Sequence, residues 1–262
     1  MVSFVDATST TALNTTSITG NKPSGVVAGD LLLALFAKNV AGTGPNLPSG
    51  WAQATVGNNH LVAGNLSSFS GSAPTGGVGF YWKEAGDSEP DDYTFSGMAA
   101  GTNMALTLMA FRDVTAKKLA SGWNTIHLFD GQRSHTRSSN TLQFTPTTTW
   151  AEADLTADQH IIICAFAHIA TSTTCTLSAL TGGLTEVSNE ATSGISMIVG
   201  YKIVNRSSGG SYGTFSCTTD TASGNAAGRS FIIPCPTGAI MQDDKRQAST
   251  AGRGYSRSRV VT

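Results

Sequence analysis

Short apolar runs, cut by turn-forming residues, constrain the fold of this chain more than any other feature of its sequence. The longest runs are Leu31–Ala37 and Ile161–Ala167, and Gly, Pro, Asn and Asp separate such runs from one another. No window of helical length carries apolar residues at a sustained 3.6-residue spacing between capping residues. The sequence therefore predicts an all-β protein.

The predicted strands recur at short intervals with turn signals between them. This pattern favours a β-sandwich or jelly roll over alternating strands and helices. The segments that predict strands most directly are Leu31–Ala37, Gly79–Lys83, Asp92–Ser96, Ala105–Phe111 and Ile161–Ala167.

The order of these segments repeats along the chain, which indicates an internal duplication. Five stretches of the first half have counterparts in the second, and the offset between them changes only across presumed loops. The matches are Gly29–Ala37 with Ala157–Ala167, Leu47–Trp51 with Leu180–Leu184, Tyr81–Lys83 and Tyr93–Phe95 with Tyr201–Lys202 and Tyr212–Phe215, and Ala105–Phe111 with the stretch ending Arg229–Ile233. We therefore expect two tandem, similar, jelly-roll-like β-sandwich domains, residues 1–116 and 117–236.

The composition changes after Pro236. Residues 237–262 contain five of the 16 Lys and Arg residues and few large aliphatic ones, so this segment cannot bury itself. It is either a disordered terminus or an extended C-terminal arm that becomes ordered on a partner. The residues predicted to bind that partner are Lys245, Arg246, Arg253, Tyr255, Arg257 and Arg259.

Overall composition excludes several classes of protein. Charged residues make up 13% of the chain and hydrophobic ones 40%, with a net charge of −1. These values do not fit a coiled coil, a highly charged disordered chain or a globally basic nucleic-acid-binding protein. No apolar run is long enough for a membrane helix, and the first residues lack the pattern of an export signal. We expect neither nucleic acid nor membrane as a partner.

Patterns that suggest catalysis have simpler interpretations. Gly209–Gly213 matches G-x-S-x-G, but a nucleophile elbow needs a strand-to-helix turn, and predicted strands lie on both sides of this one. Carboxylates cluster at Glu84, Asp87, Glu89, Asp91 and Asp92. A turn that stays solvated explains them, with a calcium site or a polysaccharide hydrolase as alternatives. We expect no enzymatic activity and no cofactor.

Cysteines and histidines suggest no metal site. The spacing of Cys164, Cys175, Cys217 and Cys235 fits no zinc pattern, so these are expected to be reduced core residues. A Cys217–Cys235 or Cys164–Cys175 disulfide is the alternative. Among the five histidines, His160 and His168 flank one predicted strand, too far apart along it to share a metal.

The tryptophans are Trp51, Trp82, Trp123 and Trp150. Core and loop-anchoring roles fit Trp51 and Trp82. Sugar stacking on an exposed ring is the alternative.

Four stretches of the first half resemble a β-sandwich module of tailed bacteriophage virion proteins. They are Gly29–Ala34, Pro48–Trp51, Phe80–Lys83 and Ser88–Phe95. The likeness covers roughly residues 25–115, and more faintly the second copy, which lacks the Ser-Glu-Pro turn and the tryptophan. It implies a fold and a virion context and carries over no functional residue.

This resemblance and the basic arm lead to a functional expectation. We expect a non-enzymatic phage structural protein, a capsid cement or decoration protein that binds the outer head. Its partners would be the major capsid protein or other virion proteins, together with further copies of itself. Its location would be the virion, assembled in the host cytoplasm. The alternative is a tail-fibre or receptor-binding module that recognises host glycan.

Overall fold

The computed structural model describes residues 1–40, 44–53, 77–114, 118–119, 122–123, 135–136, 140–144, 159–169, 174–205, 213–221 and 225–235. Every regular element in these ranges is a β-strand, which confirms the all-β class. No helix in them has the length and apolarity needed to cross a membrane.

Seventeen strands make up the described fold, and the longest is β1. Their bounds are β1 Ser3–Thr15, β2 Ile18–Asn21, β3 Leu31–Lys38, β4 Ala52–Gln53, β5 Gly77–Glu84, β6 Asp92–Phe95, β7 Thr102–Arg112, β8 Lys118–Leu119, β9 Gly122–Trp123, β10 His135–Thr136, β11 Thr141–Phe144, β12 Gln159–Ile169, β13 Leu177–Ser178, β14 Thr185–Thr192, β15 Ile195–Asn205, β16 Phe215–Thr219 and β17 Asn225–Cys235. All five strands predicted most directly from the sequence are present, as parts of β3, β5, β6, β7 and β12.

Two five-stranded antiparallel sheets form the centre of the molecule. The first large sheet has the order β1-β7-β3-β5-β4, and the second large sheet has the order β10-β17-β12-β15-β14. In each sheet the middle strand is the one with the longest apolar run, β3 or β12. Both strands are buried along their whole length.

Successive side chains of the middle strands point to opposite faces of the sheet, and both faces are apolar. Leu31, Leu33 and Leu35 of β3 point to one side of the first large sheet, whereas Leu32 and Phe36 point to the other. Strand β12 alternates in the same way between the two faces of its own sheet. Each large sheet is therefore the middle of a stack and has a hydrophobic core on either side.

The inner faces of the two large sheets pack together and share one core. It combines Leu33 of β3 and Phe111 of β7 with Ile163 of β12 and Met197 of β15. A buried hydrogen bond of 2.7 Å joins the Thr107 and Ser188 hydroxyls across it. The two halves of the chain are thus joined by an apolar interface and are not separated by solvent.

A smaller sheet covers each outer face. The pair β2-β6 lies over the first large sheet, and the three strands β11-β16-β13 lie over the second. Gly20 of β2 fits closely there, since a Cβ at this position would lie 2.9 Å from Leu106 Cδ2. The result is four layers, with the two large sheets inside and the two small ones outside.

Candidate interaction surface

The Ser-Glu-Pro turn of the first half is held by a buried carboxylate. Glu89 accepts hydrogen bonds from Lys83 Nζ at 2.7 Å, from the Gly86 amide at 2.6 Å and from the Tyr93 hydroxyl at 2.6 Å. The Glu89 side chain is only 6% exposed. The expectation that this acidic cluster stays solvated is therefore wrong for Glu89, whose charge is fully engaged inside the fold.

Titration of this cluster follows from its contacts. Burial by itself raises the pKa of Glu89, but the hydrogen bonds from Gly86, Lys83 and Tyr93 outweigh it, so the pKa is lowered. Burial and the adjacent carboxylate raise the pKa of Tyr93. The cluster is thus an ionised Glu89 carboxylate that accepts hydrogen bonds from the Lys83 ammonium and from the neutral Tyr93 phenol, and these contacts hold the turn in place.

A second buried carboxylate fixes the start of β3. Asp30 accepts hydrogen bonds from Arg112 Nε at 3.0 Å and Nη2 at 2.9 Å, and from the Val27 amide at 2.9 Å. Burial raises the pKa of Asp30, but Arg112 and the amide more than offset it, and the pKa is lowered. Two backbone hydrogen bonds of 2.8 Å join this turn to the end of β5: the Ala85 amide donates to the Asp30 carbonyl, and the Gly29 amide donates to the Ala85 carbonyl.

Trp51 anchors the loop before β4. Its indole packs edge-on against Tyr93 and Phe95, with ring centroids 5.1 and 5.6 Å away. Gly50 has a φ of 80°, which this tight turn requires. The side chain of Trp51 is buried, and Trp82 is half-buried against the shared core. Neither ring offers a sugar-stacking platform, and the side chains of Trp123 and Trp150 lie outside the described residues.

The second half reproduces this arrangement with different groups. Lys202 Nζ lies 4.8 Å from the Phe215 ring centroid, as Lys83 Nζ lies 5.5 Å from that of Tyr93. The Gly182 carbonyl accepts the Lys202 hydrogen bond at 2.9 Å, in the role that Glu89 has in the first half. The lysine therefore keeps its place although the Ser-Glu-Pro turn is absent.

The structure gives the cysteines a core role. All four are buried free thiols, and burial raises the pKa of Cys164 and brings that of Cys235 to about 12. Cys235 lies in the shared core, whereas Cys217 lies in the outer core of the second half. A Cys217–Cys235 disulfide is therefore ruled out by their positions on opposite sides of the second large sheet.

The described part of the chain brings together neither the residues considered for a metal site nor those considered for a catalytic nucleophile. No group of three or more His, Cys, Asp or Glu side chains could hold a metal ion there. His160 and His168 lie within β12, and both are buried. Ser211 of the G-x-S-x-G pattern lies outside the described residues, and so does the whole arm 237–262 with its six candidate residues.

The outer edges of β1 and β14 run side by side along one side of the double sheet. We name this surface the β1–β14 side. Ser9 of β1 donates a hydrogen bond to Glu190 of β14, and Asn103 Nδ2 donates one of 2.8 Å to the Ser193 carbonyl. Phe4 stacks on Tyr201 at 4.6 Å near the other end. Asn103 belongs to β7 and Tyr201 to β15, so β1 and β14 themselves meet where Ser9 contacts Glu190, and the neighbouring contacts hold the two sheets together around that point.

Each of these two strands has only one pairing partner among the described strands, β7 for β1 and β15 for β14. Edge strands carry a row of unpaired amides and carbonyls, which other strands can recognise. The opposite side of the double sheet ends in the two-residue strands β4 and β10. The β1–β14 side is therefore the longer exposed backbone edge.

Sequence reasoning did not identify this surface. Strand β1 contains Thr8, Ser9, Thr10 and Thr11, which favour strands but give no apolar alternation. Strand β14 is equally polar. The threonine-rich composition of β1 was the one available signal.

Within the described ranges, fold and surface define a four-layered all-β protein whose longest unpaired backbone edge is the β1–β14 side. No protein-family model matches the chain. No curated protein is detectably similar to it.

Proposed function

We propose that this chain is a non-enzymatic structural protein of a tailed-phage virion, a cement or decoration protein on the outer head. The observation that carries the proposal is the role of the residues that resemble the phage module. Asp30, Trp51, Glu89 and Tyr93 all hold turns or pack in the outer core of the first half. The resemblance thus rests on contacts that form the fold, as expected for a shared structural module.

We also propose that the fold is two tandem, similar, jelly-roll-like sandwiches, residues 1–116 and 117–236. The orders β7-β3-β5 and β17-β12-β15 correspond, and each half has its own small outer sheet. Trp82 and Lys83 match Tyr201 and Lys202, with the aromatic ring toward the shared core and the lysine toward the outer layer. Tyr81 packs in the outer core of the first half, whereas Tyr201 packs against the shared core, so Tyr201 corresponds to Trp82 and not to Tyr81.

The proposed partners are the major capsid protein or other virion proteins, and further copies of this chain. The basic arm, residues 237–262, supplies positive charge for an acidic or grooved shell surface. Repetition over a symmetric shell multiplies weak contacts into firm attachment. Low charge and strand-rich layers suit a rigid attached module with no chemistry of its own.

Immunogold labelling of intact particles tests the location. Label spread over the head supports the cement function, and label confined to the tail points to the glycan-binding alternative. Particles without label would overturn the virion proposal.

Removal of residues 237–262 tests the arm. The truncated chain is expected to lose binding to heads while it keeps the thermal stability of the full chain. A full-length variant with the five basic arm residues changed to glutamine separates charge from length. Undiminished head binding by both variants would exclude the arm as the attachment site.

A further inference from the structure

We propose that the β1–β14 side is the site where two copies of this chain join, through antiparallel pairing of β1 with β1 of the second copy. The inference makes specific the self-association included in the proposed function, and it rests on that part alone. It joins two first large sheets into one continuous ten-stranded sheet. The partner it requires is a second copy of this chain.

The uninterrupted register of β1 with β7 supports this pairing. Its register with β7 is continuous from Asp6 to Ala12, and the irregularities lie outside, between Phe4 and Asp6 and between Ala12 and Thr15. Bulges and charged residues are the usual protection of an edge against pairing. The central stretch has no bulge, no proline and no lysine, so its outer edge can accept another strand.

Charge placement also fits a second copy. A two-fold axis at Ser9 would use the whole straight stretch and set Asp6 opposite Ala12, and Thr8 opposite Thr10. The one charged residue of the stretch then faces a neutral one, and its carboxylate is held at 2.7 Å by the Ser24 amide and hydroxyl. Threonine pairs across strands are favourable. The same edge thus complements itself without like-charge contacts in its own plane.

Strand β14 limits the strength of the pairing. Glu190 accepts the Ser9 hydrogen bond and therefore lies close to the proposed axis, where the two copies bring their Glu190 carboxylates toward each other. Like charges near an axis oppose association, and salt screens them. We expect a weak dimer that becomes tighter when Glu190 is changed to glutamine.

Two double variants with opposite expected effects test the register. Thr8→Lys/Thr10→Lys places lysine opposite lysine across the axis, and we expect the dimer dissociation constant to rise at least tenfold. Thr8→Lys/Thr10→Glu places lysine opposite glutamate, and we expect a dimer as tight as the unmodified one or tighter. Both variants lose the same Thr8 hydrogen bond to the Asn21 carbonyl, so this loss is matched between them, and thermal unfolding of each variant gives its remaining effect on folding.

Sedimentation velocity on the full chain over a concentration series, together with Glu190→Gln, gives the readout. A monomer at the highest accessible concentration, or equal dissociation constants for the two double variants, would overturn the proposal. Failure here leaves head labelling unaffected, so it is distinguishable from failure of the virion proposal.

Hydrogen exchange of residues 6–12 identifies the occupant of the edge. Protection that rises with concentration, both in the full chain and in a chain ending at residue 236, is expected for a second copy. Protection that is independent of concentration and lost with the arm would mean that the arm of the same chain covers the edge, which would refute dimer pairing.

Discussion

Replacing Glu89 with glutamine should destabilise the protein although the two side chains have almost the same shape. The carboxylate accepts three hydrogen bonds, one of them from the Lys83 ammonium, which is itself only 15% exposed. Glutamine keeps one acceptor oxygen, but its NH2 group is a donor and would face a group that donates to the carboxylate in the unmodified protein. It also leaves the Lys83 charge without its anion.

The magnitude follows from the burial of both partners. Breaking a buried ion pair from one side costs about 3–5 kcal/mol, and losing a single hydrogen bond to a charged group costs about 1.5–3 kcal/mol. Lys83 keeps its position over the Tyr93 ring, so we expect a loss of about 2–4 kcal/mol in the free energy of unfolding. For a chain of this size, a loss of about 3 kcal/mol lowers Tm by roughly 6–12 °C.

The loss of unfolding free energy in Glu89→Gln should be largest near neutral pH and smaller in acid. The folded-state pKa of Glu89 lies below the ordinary value of 4.5, so its charged form stabilises the fold fully above that value. The contribution disappears as the pH falls through the lowered pKa. The stability difference between the unmodified protein and Glu89→Gln should therefore be constant near neutral pH and shrink in acid.

Thermal and urea unfolding at several pH values provide the measurement. Asp87→Asn is the matched control, because it removes one negative charge from an exposed position of the same turn and should change stability by less than about 0.5 kcal/mol. A loss for Glu89→Gln no larger than that of the control, or a difference that does not shrink in acid, would refute this account of the turn.

Three further changes test other parts of the fold by urea unfolding. Gly182→Ala should lower the free energy of unfolding by more than about 2 kcal/mol, because φ is +83° and a Cβ would lie 2.5 Å from Phe215 Cδ1. The control Gly183→Ala adds only backbone strain, about 1 kcal/mol, and equal losses for the two variants would contradict the packing around Gly182. Leu33→Ala should lower the free energy of unfolding by about 3–5 kcal/mol and should reduce hydrogen-exchange protection in β12 as well as in β3, with Leu32→Ala on the outer face as the control. Unchanged protection in β12 would mean that the two halves unfold independently. Asp30→Asn should cost about 2–3 kcal/mol near neutral pH, and a neutral result would show that its guanidinium pair is not structural.

The central strands could be predicted because their burial makes the sequence continuous in apolar residues. Strand β3 is buried on both faces, so Leu31–Ala37 needs no alternation to be recognised. The edge strands β1 and β14 have no such signal, since half-exposed threonine, serine and glutamate serve equally well in loops. Their strand conformation depends on pairing with β7 and β15, which are distant in sequence.

The buried roles of charged residues depend on contacts that the local sequence does not show. Glu89 belongs to an acidic, proline-containing turn, for which solvation is the ordinary expectation. Only the return of Lys83 and Tyr93 to the same point makes its carboxylate internal. The shared core is similar: an apolar face can be predicted from β3, but the layer that covers it is supplied by residues more than a hundred positions further on.

The shared core also sets an order of events on the ribosome. Strand β7 completes the first large sheet, yet its inner face stays uncovered until β12, β15 and β17 have been made. At about 5–20 residues per second, this takes roughly 6–25 s. During that interval the inner face of the first large sheet lacks the layer of second-half residues that covers it in the finished protein. Neighbouring ribosomes on one message would bring two such sheets together, and their premature pairing would trap the product before its own second half arrives.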